Sequence, residues 1–346
     1  MGRLILATVG TSLFDAVGPY PDLNEQRLAN NARDECQRAR ERLQAAWQVL
    51  ARPNSGDGMM ADLDNAELGL LQAYRPRVQA GELNKISAEM ASLGTLAPAK
   101  EDRVVLLATD TVEGAFAARC VALLASGRPR ILRLAESLEP LPDADATRHL
   151  QARRRSIAAA LGDPAFACQL DVMVIEHLTW NPEQPDDLGP AEEFRLQGCY
   201  NLAASVAALI EHRSRTDHPQ VVCNITGGLK SSIPFVTWVC ALAGGVDLAY
   251  LYEESPALLQ TPIARLEIPG PIVDLLRADR WTWHEIGQKE AGAYFDRGSK
   301  PPRLSLFGRV VRAYLSVRRS LDQQQRDLRC GQAEASGEET PDELPE

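Results

Sequence analysis

The stretch Asn224-Ile225-Thr226-Gly227-Gly228-Leu229-Lys230-Ser231-Ser232 holds the residue types best suited to chemistry in this chain. An apolar run, Gln220 to Cys223, feeds it, and a helical pattern from Leu229 to Leu242 follows. Two adjacent glycines let the backbone approach a ligand closely and expose amide N–H groups at a helix start, which favours anions. Lys230 adds a point charge on a flexible stem, suited to a phosphate. The spacing is not the G-x-x-x-x-G-K-[ST] of a P-loop. Nor does Val9-Gly10-Thr11 open a G-x-G-x-x-G dinucleotide fingerprint. A Gly-Gly turn followed by a solvated lysine fits the same residues without any ligand. Two other segments place small or polar residues directly after an apolar run. They are Gly10-Thr11-Ser12, and Thr109-Asp110-Thr111-Val112-Glu113-Gly114. Asp110 and Glu113 sit where a ligand could be met, while Asp110 or Thr111 serves at least as well as a helix N-cap.

These segments need elements to position them. Short apolar runs suited to strands cover Arg3 to Val9, Val104 to Ala108, Arg130 to Leu134, Leu170 to Ile175, Gln220 to Cys223 and Val246 to Tyr252. Helical patterns cover Glu113 to Ala125, Ala146 to Ala160, Glu192 to His212 and Leu229 to Leu242. Strands alternating with helices of this length imply a mostly parallel, doubly wound α/β sheet. Its strands read as nearly continuous apolar runs because helices cover both faces. Ligands of such sheets bind outside the carboxyl ends of the strands, where all three polar segments fall. One long segment, about 22–100, breaks the alternation. It carries helical patterning over Leu23 to Leu50 and Met60 to Leu83, with Arg52 to Gly58 as an internal turn, and reads as a helical insertion after the first strand. Residues 181–190 read as a Pro-rich loop. Beyond Pro269-Gly270-Pro271 the strand pattern stops and two or three helices follow. The last, about Leu304 to Leu328, carries Arg309, Arg312, Arg318, Arg319 and Arg326. Residues 331–346 are expected to be an acidic, disordered tail.

Composition narrows the function. The chain has 346 residues and a net charge of −10, which argues against holding a long nucleic acid by bulk charge. Seven scattered cysteines without a C-x-x-C pair imply free thiols in a reducing cytoplasm, and five scattered histidines form no zinc pattern. Neither a secretory signal nor a membrane span is expected.

Four motifs in order carry a more specific reading: ATVGTSL at 7–13, Ser87 to Leu93 (SAEMASL), LLATDTVEG at 106–114 and NITGGLKSSIPFVTWVCALAGG at 224–245, continued by LAYLYEESPAL at 248–258. Together they resemble the CRISPR-associated Rossmann fold family, whose members sense cyclic oligoadenylates in type III CRISPR immunity. The resemblance spans about 1–268, leaving 269–330 as a small helical C-terminal module. It implies a Rossmann-like sheet in a homodimer, with cyclic tetra-adenylate seated across a two-fold cleft. It carries over Gly10, Thr11, Ser12, Thr226, Gly227, Gly228 and Lys230 as ligand contacts, to which Asn224, Asp110, Thr111 and Glu113 are added as neighbours on the same loops. Glu89 reads as a helix-start carboxylate.

Some members of that family cleave the ring. They align a ribose 2′-hydroxyl with its own phosphate and form 2′,3′-cyclic phosphate ends with neither metal nor cofactor. Here the catalytic expectation falls on Lys230, Thr11 and Ser12. The competing expectations are an effector gated by the ring, acting through the C-terminal module, and a transcription regulator using the basic last helix to touch nucleic acid. Arg277 to His284 and Arg213 to His218 match the loose R-x₄₋₆-H of ribonuclease domains found behind such sensors. Too few residues follow Pro271 for a helical ribonuclease bundle. Among aromatics, Trp180, Phe194 and Tyr200 flank the loop after the fourth strand, where a ring can stack on adenine, although apolar packing along Phe194 to Leu209 suits Phe194 better.

Overall fold

In the computed structural model, described residues are 2–14, 23–43, 47–51, 58–127, 130–132, 164–178, 197–212, 220–228, 230–252, 257–278, 280–297 and 299–336. The expected helix at 146–160, the Pro-rich loop, Trp180, Phe194, the motif at 213–218 and the turn at 52–57 lie outside them. Strands β1 (Arg3–Val9), β2 (Arg103–Thr109), β3 (Arg130–Leu132), β4 (Gln169–Ile175), β5 (Gln220–Asn224), β6 (Val246–Leu251) and β7 (Leu258–Pro262) form one sheet in the order β3-β4-β2-β1-β5-β6-β7. All neighbours pair in parallel except β6 and β7. This is the expected Rossmann-like, doubly wound α/β architecture.

The insertion provides α1 (Leu23–Arg40), the short α2 (Trp47–Ala51), α3 (Gly58–Gln79) and α4 (Ala88–Leu96). Together with α5 (Val112–Ser126) they cover one face of the sheet. Their side chains close over Ile5, Ala7, Val9, Val104, Leu106 and Val172. The opposite face, with Leu4, Leu6, Val105, Leu107 and Met173, is covered by α6 (Cys199–His212) and α7 (Ile233–Ala243). Alternation of consecutive strand residues between two apolar layers is why the strands read as unbroken apolar runs. The six described cysteines are buried and none forms a disulfide.

The chain leaves β1 toward the first face and leaves β5 toward the second. Neighbouring strands whose connections part to opposite faces open a crevice at their carboxyl ends, the usual ligand position in such sheets. Parallel register sets the heights: Ala7 lies opposite Asn224, so residues 225–228 rise alongside Thr8 to Gly10.

The structure adds an edge strand, divides the insertion and lengthens the last helix relative to expectation. The antiparallel strand β7 escapes the apolar-run criterion because its residues are mostly exposed and it ends on Pro262. The helical patterning over Leu23 to Leu50 resolves into two helices, α1 ending at Arg40 and α2 starting at Trp47. After α8 (Gly270–Arg277) and α9 (Trp283–Gln288), the helix α10 (Leu306–Ser336) runs six residues into the stretch expected to be disordered. The C-terminal helices share the apolar layer of α6 and α7 through Leu276, Val310, Val311 and Tyr314. Phe307 meets Trp238 edge-on at 5.2 Å, and the Tyr314 hydroxyl donates to Glu211 at 2.7 Å.

Candidate functional site

At the carboxyl edge, the loops after β1 and β5 touch each other. Gly228 has φ of +86°, and a Cβ there would lie 2.7 Å from the Thr8 Cβ, so only glycine fits both the backbone and the space. A Cβ on Gly10 would lie 3.0 Å from the Gly228 nitrogen. The close backbone approach seen here is between the two glycine loops themselves.

Asn224 and Thr226 organise the β5 loop. Asn224 is buried, and its Oδ1 accepts from the Thr226 amide at 3.2 Å and the Thr226 hydroxyl at 2.7 Å. Thr226 Oγ1 in turn accepts from the Leu251 amide at 2.9 Å, fixing the loop to the end of β6. The Thr8 hydroxyl donates to the Gly227 carbonyl. These side chains are spent on loop shape. Lys230 opens a short 3-10 turn, Lys230–Ser232, ahead of α7 and is exposed.

In the β1 loop, Thr11 is exposed and Ser12 is half-buried. The Ser12 hydroxyl donates to Glu89 Oε2 at 2.7 Å and accepts from the Ala88 amide at 3.2 Å. Glu89, in the first turn of α4, is 1% exposed, and its Oε1 accepts the Gly10 amide at 2.9 Å. A Cβ on Gly227 would collide with the same carboxylate. Glu89 is thus a helix-start residue, as expected, but its side chain serves the two glycine loops. Sequence reasoning had no means to pair it with Gly10, 79 positions away.

The third segment divides. Thr111 caps α5, accepting from the Gly114 amide at 2.9 Å, and Gly114 has no room for a side chain beside Thr109 and Thr111. Asp110 Oδ2 accepts the His177 amide at 2.6 Å and so ties the end of β2 to the end of β4. Glu113 pairs elsewhere, its Oε2 lying 2.7 Å from Arg40 Nη2 at the end of α1. The fold therefore brings together Gly10, Thr11, Ser12, Asn224, Thr226, Gly227, Gly228 and Lys230. Asp110 and Thr111 stand one strand further along, and Glu113 lies at the α1–α5 contact. Tyr252, 50% exposed just past β6, is an aromatic at the same edge that the spacing arguments passed over. Tyr200 packs half-buried against the second apolar layer.

Among the described residues, no group of three His, Cys, Asp or Glu side chains could hold a metal ion, and no helix is long and apolar enough to cross a membrane. On α10, Arg312 lies over the Trp281 ring at 5.5 Å, whereas Arg318, Arg319 and Arg326 are exposed. Arg277 closes α8 and His284 sits exposed in α9, on separate helices.

The fold and the paired loops define a doubly wound α/β protein whose two glycine loops meet at the carboxyl edge of the sheet. Residues 166–264 match the model of a family described as CRISPR-associated protein (Cas_APE2256). The matched stretch contains β4 to β7 and the whole Asn224–Lys230 loop, and it supports a CRISPR-associated protein. No curated protein matches the chain.

Proposed function

We propose that two copies of this chain bind cyclic tetra-adenylate between their carboxyl edges and open the ring, ending a type III CRISPR signal. The observation that carries the reading is the contact of the Gly10 and Gly228 loops at the β1/β5 crevice, with Thr11 and Lys230 exposed beside it. The similarity of residues 166–264 to a CRISPR-associated family supports it independently. A ring of four phosphodiesters needs backbone amides, hydroxyls and a cation from each side. Two-fold pairing doubles each donor without making the protein basic overall.

In the cleavage step the ribose 2′-oxygen attacks its neighbouring phosphorus as the bond to the 5′-oxygen breaks. The 2′-hydroxyl loses its proton and the leaving oxygen gains one. The product is a linear chain ending in a 2′,3′-cyclic phosphate. Lys230 stabilises charge growing on the phosphate oxygens, and Thr11 holds the ribose. The rate gain comes from alignment and from donors placed in advance, with no strong base required. With its hydroxyl on Glu89, Ser12 acts through the loop rather than on the ring.

Incubating the protein with labelled cyclic tetra-adenylate in EDTA tests this. Linear products with cyclic phosphate ends are expected. An intact ring that nonetheless binds would leave a sensor without cleavage. Cleavage of RNA or DNA only after ring addition would move the activity to the C-terminal helices.

A further inference from the structure

We propose that α4 is the mount of the candidate site and that Glu89 is its positioning residue, holding the Gly10–Ser12 loop against the Gly227–Gly228 loop before any anion arrives. A carboxylate so deeply buried is costly unless hydrogen bonds replace its water. Here they come from the Gly10 amide and the Ser12 hydroxyl. The side chain also fills the space that the missing Cβ of Gly227 leaves open, so one group touches both loops. One turn further on, Ser92 repeats the arrangement. Its Oγ accepts from Asn224 Nδ2 at 2.7 Å and donates to the Glu89 carbonyl at 3.0 Å. A single helix thus grips the loop of β1 through Glu89 and the loop of β5 through Ser92.

The far end of α4 is anchored as well. Arg3 Nη2 donates to the carbonyls of Leu96 and Ala97, each at 3.1 Å, while the same guanidinium is clamped by Asp102. The helix is pinned to the amino end of β1 and grips the loop at its carboxyl end. Because α4 closes the insertion, that segment supplies part of the site instead of merely decorating the fold. Loops held in their binding shape pay less ordering cost when a ligand lands. The ligand half of this inference rests on the reading given under Proposed function; the loop half does not.

The test reads amide hydrogen exchange at Gly10, Gly227 and Gly228 in ligand-free protein, alongside calorimetric titration with cyclic tetra-adenylate. In Glu89→Ala, Gly10 exchange should speed up roughly 10- to 100-fold, the loss of one charged hydrogen bond, with Val105 and Leu106 unchanged. Ring affinity should fall about tenfold or more. Glu89→Gln keeps an acceptor for Gly10 and should restore much of its protection. Glu82→Gln, in an exposed pair with Lys85, should match wild type in both measurements. Unchanged Gly10 exchange in folded Glu89→Ala overturns the mount. Faster exchange with unaltered ring affinity overturns its coupling to the ligand. Should Glu89→Ala not fold, Ser92→Ala reads the β5 loop by the same criteria. If the wild-type protein binds no ring, the functional reading falls, and the exchange data alone decide the mount.

Discussion

At the scale of single residues, Thr11 and Ser12 are neighbours with the same functional group and opposite duties. Ser12 Oγ sits between Glu89 and the Ala88 amide, while Thr11 is exposed. Ser12→Ala leaves a buried carboxylate short of one donor and should cost about 1–3 kcal/mol of stability, seen as a lower urea midpoint. Thr11→Ala removes nothing from the interior and should stay within about 0.5 kcal/mol of wild type, yet weaken ring capture and slow cleavage. An equal loss of stability in both variants would mean that the two hydroxyls do not divide the work. The sequence could not separate them, because what distinguishes Ser12 is an acid 77 positions downstream. Lys230 stands out from type and place alone, a lysine after two glycines at a helix start, and the structure leaves it exposed there. Glu113 illustrates the converse. Its place at a strand end suggested the site, and Arg40, far off on α1, turned it elsewhere.

At the scale of elements, strands buried on both faces are legible because burial alone dictates their composition. β1, β2, β4, β5 and β6 fall where the apolar runs lie, whereas the exposed edge strand β7 does not. The contact between glycine loops follows from register, which sequence does not state. Its consequence is measurable: Gly10→Ala places a methyl 3.0 Å from the Gly228 nitrogen and must push the loops apart. Ring affinity should drop by about tenfold or more while most of the melting temperature survives, since the displaced atoms lie at the rim and not in the apolar layers. The opposite edge of β1 carries a pH dependence. Burial pushes the Asp102 carboxyl upward, but donation from the Arg3 side chain and from the Arg3 and Ala99 amides outweighs it, holding Asp102 below its ordinary value. A carboxyl lowered by folding stabilises fully above its unfolded pKa of about 3.9 and loses that contribution as pH falls through the lower folded value. Asp102→Asn should therefore be clearly less stable than wild type in urea at pH 7. The gap should narrow at pH 3 and below. A gap that widens in acid would contradict the assignment.

At the scale of the whole molecule, the C-terminal helices belong to the same apolar layer as α6 and α7, so the sheet depends on them for cover whatever else they do. The net charge of −10 then shapes what the sheet edge can hold. Two such chains side by side would repel a long polyanion, while a small ring would meet only local donors. This makes stoichiometry and salt dependence decisive. If one ring bridges two chains across a two-fold axis, calorimetry should give about half a ring per chain, and the ligand should raise the dimer fraction in sedimentation. Neutralising single-stranded phosphates contributes a slope of about −0.7 per phosphate to log K against log salt. With one lysine from each chain on the ring, the slope should be no steeper than about −1.4. Lys230→Ala should flatten it and weaken binding roughly 10- to 100-fold per chain, the range for a lost charged hydrogen bond. A stoichiometry of one ring per chain would place the ligand on a single edge and remove the two-fold cleft. A slope several times steeper would mean that the exposed arginines of α10, and not the glycine loops, are what the phosphates meet.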